Sequence, residues 1–148
     1  MASTFSCLRY HIVFSTKERR PLIRDEWRPR LHAWLGGVLR KLDGIALNVG
    51  GVADHVHLLA SLKPVHAIAD VMREIKHASS QWIHEEIGDR NFAWQEGYGA
   101  FTVSESAIDA VKGYIDRQEE HHRRRSFQDE YHDLLRKHGV SFDERFLW

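Results

Sequence analysis

The stretch DHVHLLASL, residues 54–62, constrains the fold more than any other part of this sequence. Polar and apolar residues alternate along it, apart from its apolar end, as they do in a strand with one buried face. Side chains two positions apart on a strand point to the same side. His55 and His57 are therefore expected to lie side by side on a sheet, while Val56 enters the core.

Two neutral imidazoles on one face of a rigid strand form half of a metal site. The alternative is a pair of surface histidines on a half-exposed sheet face, which is the more frequent arrangement for this spacing alone. A third ligand and a reactive group elsewhere in the chain are needed to favour the metal site.

The elements around this strand predict the order β-α-β-β-α-β-α. We expect strands at 7–15, 45–49, 54–62 and 100–103, and a turn at Gly50 and Gly51. Helical spacing predicts helices at 27–42, at about 67–87, from about residue 106, and at 127–138. This order suits an α+β fold of the ferredoxin-like (RRM-like) type, an antiparallel sheet with helices packed on one side.

The length of 148 residues predicts one domain, with a core at about 5–125 and a C-terminal helix and tail at 126–148. The single cysteine, Cys7, excludes an internal disulfide and is expected to be a small core residue. No apolar run is long enough to cross a membrane, and the N-terminus lacks a signal pattern. We therefore expect a cytoplasmic protein without a membrane partner.

The charge pattern bears on nucleic-acid binding. The formal net charge of +0 by itself argues against such a partner. The charges are nevertheless distributed unevenly along the chain, because basic residues cluster at 17–20 and 121–125. Each cluster gives modest support for nucleic-acid binding, because most runs of charged residues form a solvated surface.

A second pair of functional candidates lies on the last main helix. Tyr114 and Gln118 are four residues apart and so share one side of it. They flank an apolar stripe, at the margin between core and solvent. Gly113 inside this helix costs about 1 kcal/mol relative to alanine, which indicates that a bulky partner comes close or that the helix moves. The alternative is a boundary tyrosine beside a solvated glutamine, and the spacing alone favours it.

Taken together, these pieces resemble a known family. His55-Val56-His57 resembles the histidine-hydrophobic-histidine motif of HUH endonucleases, and residues 114–118 resemble the tyrosine helix of single-tyrosine HUH transposases of bacterial insertion sequences and their REP-associated relatives. Further segments resemble the family in the right order, namely 10–14 with 19–21, 75–80, and 97–101. The resemblance covers about residues 5–125.

The resemblance implies a transposase that cleaves and rejoins single-stranded DNA at hairpin-marked element ends. His55, His57 and Gln118 would hold Mg²⁺ or Mn²⁺, and Tyr114 would be the nucleophile that forms a 5′-phosphotyrosine. The family also implies a homodimer in which the active sites can be shared between chains. Candidates for contacts with DNA phosphates are Arg73, Lys76, Arg123, Arg124 and Arg125.

Two other functions stay open at this point. A domesticated or non-catalytic relative would bind chromosomal repeat hairpins as a regulator, although His55, His57, Tyr114 and Gln118 are all intact. A small zinc-binding module would use His55 and His57 with one of His121 or His122. Zinc prefers a closed tetrahedral set, and no cysteine cluster completes one.

Overall fold

A four-stranded antiparallel sheet forms the centre of the molecule. It consists of β1 (Leu8–Ser15), β2 (Ile45–Gly51), β3 (His55–Leu62) and β4 (Gly99–Thr102). The strands lie in the order β2-β3-β1-β4. The computed structural model describes residues 3–148, so the first two residues of the predicted domain lie outside it. This topology confirms the predicted ferredoxin-like fold class.

Two helices, α1 (Arg28–Lys41) and α2 (Ile68–Trp82), cover one face of the sheet as predicted. Pro29 lies in the first turn of α1, where its missing N–H has no helical partner to lose. A π-helical turn (Ile83–Ile87) extends α2. The main hydrophobic cluster joins these helices to alternate residues of β1 and β3, including Ile12, Phe14, Val56 and Leu58.

The opposite face of the sheet is also covered, although we expected helices on one side only. It carries α3 (Ile108–Asp116), α4 (Gln118–His122) and α5 (Phe127–Lys137). Apolar side chains of α5 pack on Val13 and Phe101, while α3 packs on Leu59. The apolar residues of this second face explain the cover, because leaving them in water would be unfavourable.

The pairing of β1 with β3 decides which side chains share the second face. Val13 lies opposite His57, and Ser15 lies opposite His55. His11 is two residues before Val13 and therefore points to the same side. The histidines of both strands thus face α3, α4 and α5.

Gly50 and Gly51 lie within β2, although we expected them to form the turn. A Cβ atom at Gly50 would lie 2.6 Å from Cγ2 and 2.7 Å from the carbonyl oxygen of Ile115 on α3. Gly51 has a φ of +149°, and a Cβ there would lie 2.2 Å from the carbonyl oxygen of His55. The two glycines therefore allow α3 and the β3 backbone to approach this strand closely.

Cys7 is exposed, so the prediction that it is a core residue was wrong. β1 begins only at Leu8, so Cys7 lies just before the sheet, where its Sγ is 3.8 Å from Oε2 of Glu105. Across residues 3–148, none of the helices has the length and apolar character needed to cross a membrane.

Candidate active site

His55 and His57 are completely buried, which excludes a surface pair. Nδ1 of His55 donates to Oδ1 of Asp54 at 2.7 Å. Nδ1 of His57 shares a hydrogen bond of 2.7 Å with Nε2 of His11. A ring nitrogen that is held in this way fixes the orientation of the imidazole. The Nε2 atoms of both histidines therefore face the same interior space.

Gln118 reaches this space from the start of α4. Its Oε1 lies 3.1 Å from Nε2 of His55, and the residue is 1% exposed, which excludes a solvated glutamine. We expected Tyr114 and Gln118 on one continuous helix, but α3 ends at Asp116 and Arg117 is not helical. The kink leaves the two side chains on the same side of the chain, facing β3.

Tyr114 lies beside the histidines, with its ring centroid 5.7 Å from that of His57. Its hydroxyl donates to Oε2 of Glu130. Burial raises the pKa of Tyr114, and the adjacent carboxylate of Glu130 raises it further, so the side chain is a neutral phenol. No bulky partner explains Gly113, because a Cβ there would meet only the flexible end of Arg117, at 3.0 Å.

Glu130 on α5 lies at the centre of the site, although it was not among the residues predicted from the sequence. It is 2% exposed, and its Oε1 lies 3.0 Å from Nε2 of His57 and 3.3 Å from Nε2 of His55. The available signal was an acidic residue within the apolar stripe of a predicted helix, between Phe127 and Tyr131. Such a residue is buried with a partner or is functional.

His122 completes the cluster. Its Nδ1 donates to the carbonyl oxygen of Arg125 at 2.8 Å, so Nε2 faces Gln118 at 3.0 Å and Glu130 at 3.1 Å. One ligand atom from each of His55, His57, His122 and Glu130 lies within 4.8 Å of the others. Imidazole nitrogens, a carboxylate and an amide oxygen in one buried cluster fit a divalent metal ion.

The two histidines of β3 differ in protonation. Burial lowers the pKa of His57 to about 4. Burial and the neighbouring His57 lower the pKa of His11 to about 3. Burial would lower the pKa of His55 too, but hydrogen bonds to Asp54 and Glu130 outweigh it and raise that pKa. Burial by itself would raise the pKa of Glu130. Hydrogen bonds from the surrounding histidines outweigh burial and hold that pKa well below its usual range. His57 is thus neutral and able to act as a ligand.

The predicted DNA-contacting residues divide into two groups. Arg124 and Arg125 line a cavity of about 400 Å³ together with Tyr114, and Arg123 is exposed next to them. Arg125 also forms an ion pair with Asp133. Arg73 and Lys76 lie on α2, which covers the other face of the sheet. The exposed Arg73 pairs with Asp70 at 3.2 Å, and Nζ of Lys76 donates to the carbonyl oxygens of Gln95 and Gly97.

The sequence model of the family described as IS200-like transposases matches residues 4–118. The chain belongs to this family. Two transposases have similar sequences. That of the insertion sequence IS200 from Salmonella typhimurium is 32% identical over 120 residues, covering 74% of this chain and 76% of the relative. The ISDra2 transposase TnpA from Deinococcus radiodurans is 30% identical over 120 residues, covering 75% of this chain and 84% of the relative.

One solved structure supports the same assignment, and a second shares the fold. A candidate transposase from Deinococcus radiodurans superimposes with a TM-score of 0.66 at 25% identity, over 80% of this chain and 95% of that one. A REP-associated tyrosine transposase bound to a REP hairpin superimposes with a TM-score of 0.60, over 82% of this chain and 74% of that one. At 16% identity, this second likeness concerns the fold alone.

The family match ends at Gln118 of this IS200-like transposase. His55, His57 and Tyr114 lie inside the matched residues, whereas His122 and Glu130 lie beyond them. The buried cluster therefore combines side chains of the family region with two that follow it.

Proposed function

We propose that this IS200-like transposase cleaves and rejoins single-stranded DNA at hairpin-marked ends, with Tyr114 as the nucleophile. His55, His57 and Gln118 would hold Mg²⁺ or Mn²⁺. The observation that supports this most directly is that the Tyr114 hydroxyl, Nε2 of His57 and Nε2 of Gln118 all contact the carboxylate of Glu130. A neighbour of the same fold bound to a REP hairpin supports the choice of DNA.

The proposed reaction exchanges one phosphodiester for another. The Tyr114 oxygen attacks the phosphorus, the bond to the 3′-oxygen breaks, and a 5′-phosphotyrosine forms. The proton lost by the phenol balances the one gained by the released 3′-hydroxyl. Because a phenol with a pKa near 10 leaves more readily than an alkoxide, a second 3′-hydroxyl can reverse the step. The reaction therefore needs no other energy source.

The site residues prepare the phosphate position. Asp54 and His11 fix the two imidazoles, and Gln118 adds a neutral oxygen donor, a set that suits Mn²⁺ or partly hydrated Mg²⁺. A bound divalent ion would neutralise charge on the scissile phosphate and orient it. Arg124 and Arg125, which line the cavity next to Tyr114, are placed to contact neighbouring phosphates.

The experiment that tests the proposal is a covalent-adduct assay. Labelled single strands from both flanks of the gene are incubated with the protein and Mg²⁺, Mn²⁺ or EDTA, and products are separated on denaturing gels. We expect a slow-migrating protein–DNA band that needs the metal and disappears in Tyr114→Phe, which lacks the attacking oxygen. Tyr98→Phe, at an exposed tyrosine, is the matched control and should keep the band.

A band that persists in Tyr114→Phe would contradict the assignment of the nucleophile. If the strands are retained on native gels without a band, the protein is instead a regulator that binds repeat hairpins. A band supported by Zn²⁺ but not by Mg²⁺ or Mn²⁺ would contradict the choice of metal.

We further propose a homodimer, as the family resemblance implies. Within one chain Tyr114 already faces His57. A site shared between chains would therefore require the tyrosine helix to leave this histidine strand and pack beside that of the other chain. Sedimentation of the purified protein measures the assembly.

A further inference from the structure

The carboxylate of Glu130 has the surroundings that a scissile phosphate would need. It is an anion that lies within 3.3 Å of the Nε2 atoms of His55 and His57. Its second oxygen accepts a hydrogen bond from Tyr114, which is the proposed nucleophile. A metal-bound phosphate under attack by Tyr114 would place its oxygens between the same groups. The two anions therefore compete for one position.

The site is also closed to DNA in this arrangement. His55, His57, Gln118 and Glu130 are each 2% exposed or less. The cover is α5, whose Phe127 stacks on the ring of His55 with centroids 4.1 Å apart. A DNA strand cannot bring a phosphate to Nε2 of His57 while α5 stays in place.

The attachment of α5 allows it to move. It joins α4 through residues 123–126, which are all exposed. The cluster that holds it centres on five buried residues, far fewer than the cluster on the other face of the sheet. That small cluster contains Val13, Phe101, Phe127, Tyr131 and Leu135.

We propose that Glu130 is a built-in ligand of the metal that occupies the place of the scissile phosphate, and that residues 126–148 move away when DNA binds. This inference rests on the proposed function of the same site. It assigns Glu130 two opposite effects. The carboxylate strengthens metal binding in the resting protein, and it weakens the binding of single-stranded DNA.

The test measures both affinities in the Tyr114→Phe background, where no covalent product forms. Titration calorimetry gives the Kd for Mn²⁺, and fluorescence anisotropy gives the Kd for a labelled pool of random single strands in Mn²⁺. For Glu130→Gln we expect the Mn²⁺ Kd to rise by about tenfold and the DNA Kd to fall by about threefold or more. Glu86→Gln removes the same charge from the exposed turn that extends α2, on the other face of the sheet, and should change neither value.

A second variant loosens the cover without touching the site. Leu135→Ala removes a buried contact at the far end of α5. It should lower the DNA Kd as Glu130→Gln does, because the segment leaves the site more easily. An unchanged Mn²⁺ Kd in Glu130→Gln overturns the ligand role. A DNA Kd that is unchanged or higher in both variants overturns the competition.

The adduct assay separates this inference from the proposed function. An adduct that forms in the wild-type protein, and no faster in Glu130→Gln, leaves the function intact and overturns the inference. The expected changes in both Kd values without any adduct support the inference and contradict the function. Loss of the adduct in Glu130→Gln at unchanged DNA affinity would make Glu130 a proton acceptor for Tyr114, which also overturns the inference.

Discussion

At the scale of single residues, each metal-facing imidazole is oriented by the group that its other nitrogen contacts. Asp54 holds His55, His11 holds His57, and a backbone carbonyl holds His122. These contacts select which ring nitrogen is free and where it points. The proposed metal affinity therefore depends on residues that would not touch the ion.

Replacing Asp54 tests this dependence. In Asp54→Ala, His55 loses the acceptor that fixes its ring, and the Kd for Mn²⁺ should rise by about tenfold or more. Asp54→Asn keeps an acceptor oxygen without the charge and should give an intermediate Kd. Titration calorimetry measures both, with Asp70→Ala, at an exposed aspartate on α2, as the control. Equal Kd values for all four proteins would show that Asp54 does not orient a ligand.

At the scale of elements, the position of α3 depends on its contact with β2. The helix approaches so closely that the backbone and side chain of Ile115 fill the space a Cβ at Gly50 would need. Ile115 is the residue after Tyr114. Any change that displaces this part of α3 will therefore also displace the tyrosine.

Gly50→Ala should destabilise the protein by about 1–3 kcal/mol, because the added methyl group overpacks the contact. The rate of adduct formation should fall as well, since Tyr114 moves with the helix. Urea denaturation and the adduct assay measure the two effects. The opposite change is expected for Gly37→Ala in α1, where a Cβ meets nothing within 4 Å. That substitution should raise the stability by up to about 1 kcal/mol without affecting the adduct.

At the scale of the whole molecule, one sheet carries two interiors of different character. The face under α1 and α2 is apolar, whereas the face under α3 to α5 buries histidines and Glu130 among apolar residues. Buried titratable groups make the stability of the fold depend on pH. Whether acid raises or lowers the stability follows from the pKa values of these groups in the folded protein.

Acid should destabilise the protein. The pKa values of His11 and His57 fall from 6.5 to about 3 and about 4 on folding, so the unfolded chain binds more protons between those values and pH 6.5. Stability is therefore lost as the pH falls through this window, by about 2 kcal/mol at pH 5 for His11. His55 acts in the opposite direction, because its pKa is raised and its contribution is lost as the pH rises.

Urea denaturation at about pH 7 and pH 5 measures the free energy of unfolding and checks the sign of its change with pH. We expect the loss to be smaller in His11→Asn, which removes one of the buried imidazoles. His77→Asn, at an exposed histidine of α2, should keep the loss seen in the wild-type protein. Greater stability at pH 5 than at pH 7 would contradict the expectation.

The sequence by itself determined the local features. Alternation along residues 54–62 predicted the histidine strand, and helical spacing predicted the helices and the nearness of Tyr114 to Gln118. These patterns repeat over a few residues, so they can be read without knowing what packs against them. The element order then allowed few topologies, and the ferredoxin-like sheet was among them.

Only the tertiary structure decided what depends on contacts between distant parts of the chain. Glu130 is 73 positions from His57, one of the histidines it contacts, and no local pattern specifies that pairing. The need for glycine at position 50 comes from Ile115 on another element, and the exposure of Cys7 goes with its position just before β1. α5 covers the second face because the chain returns across the sheet after α4. Periodicity indicates that a residue is buried, and packing decides against which partner.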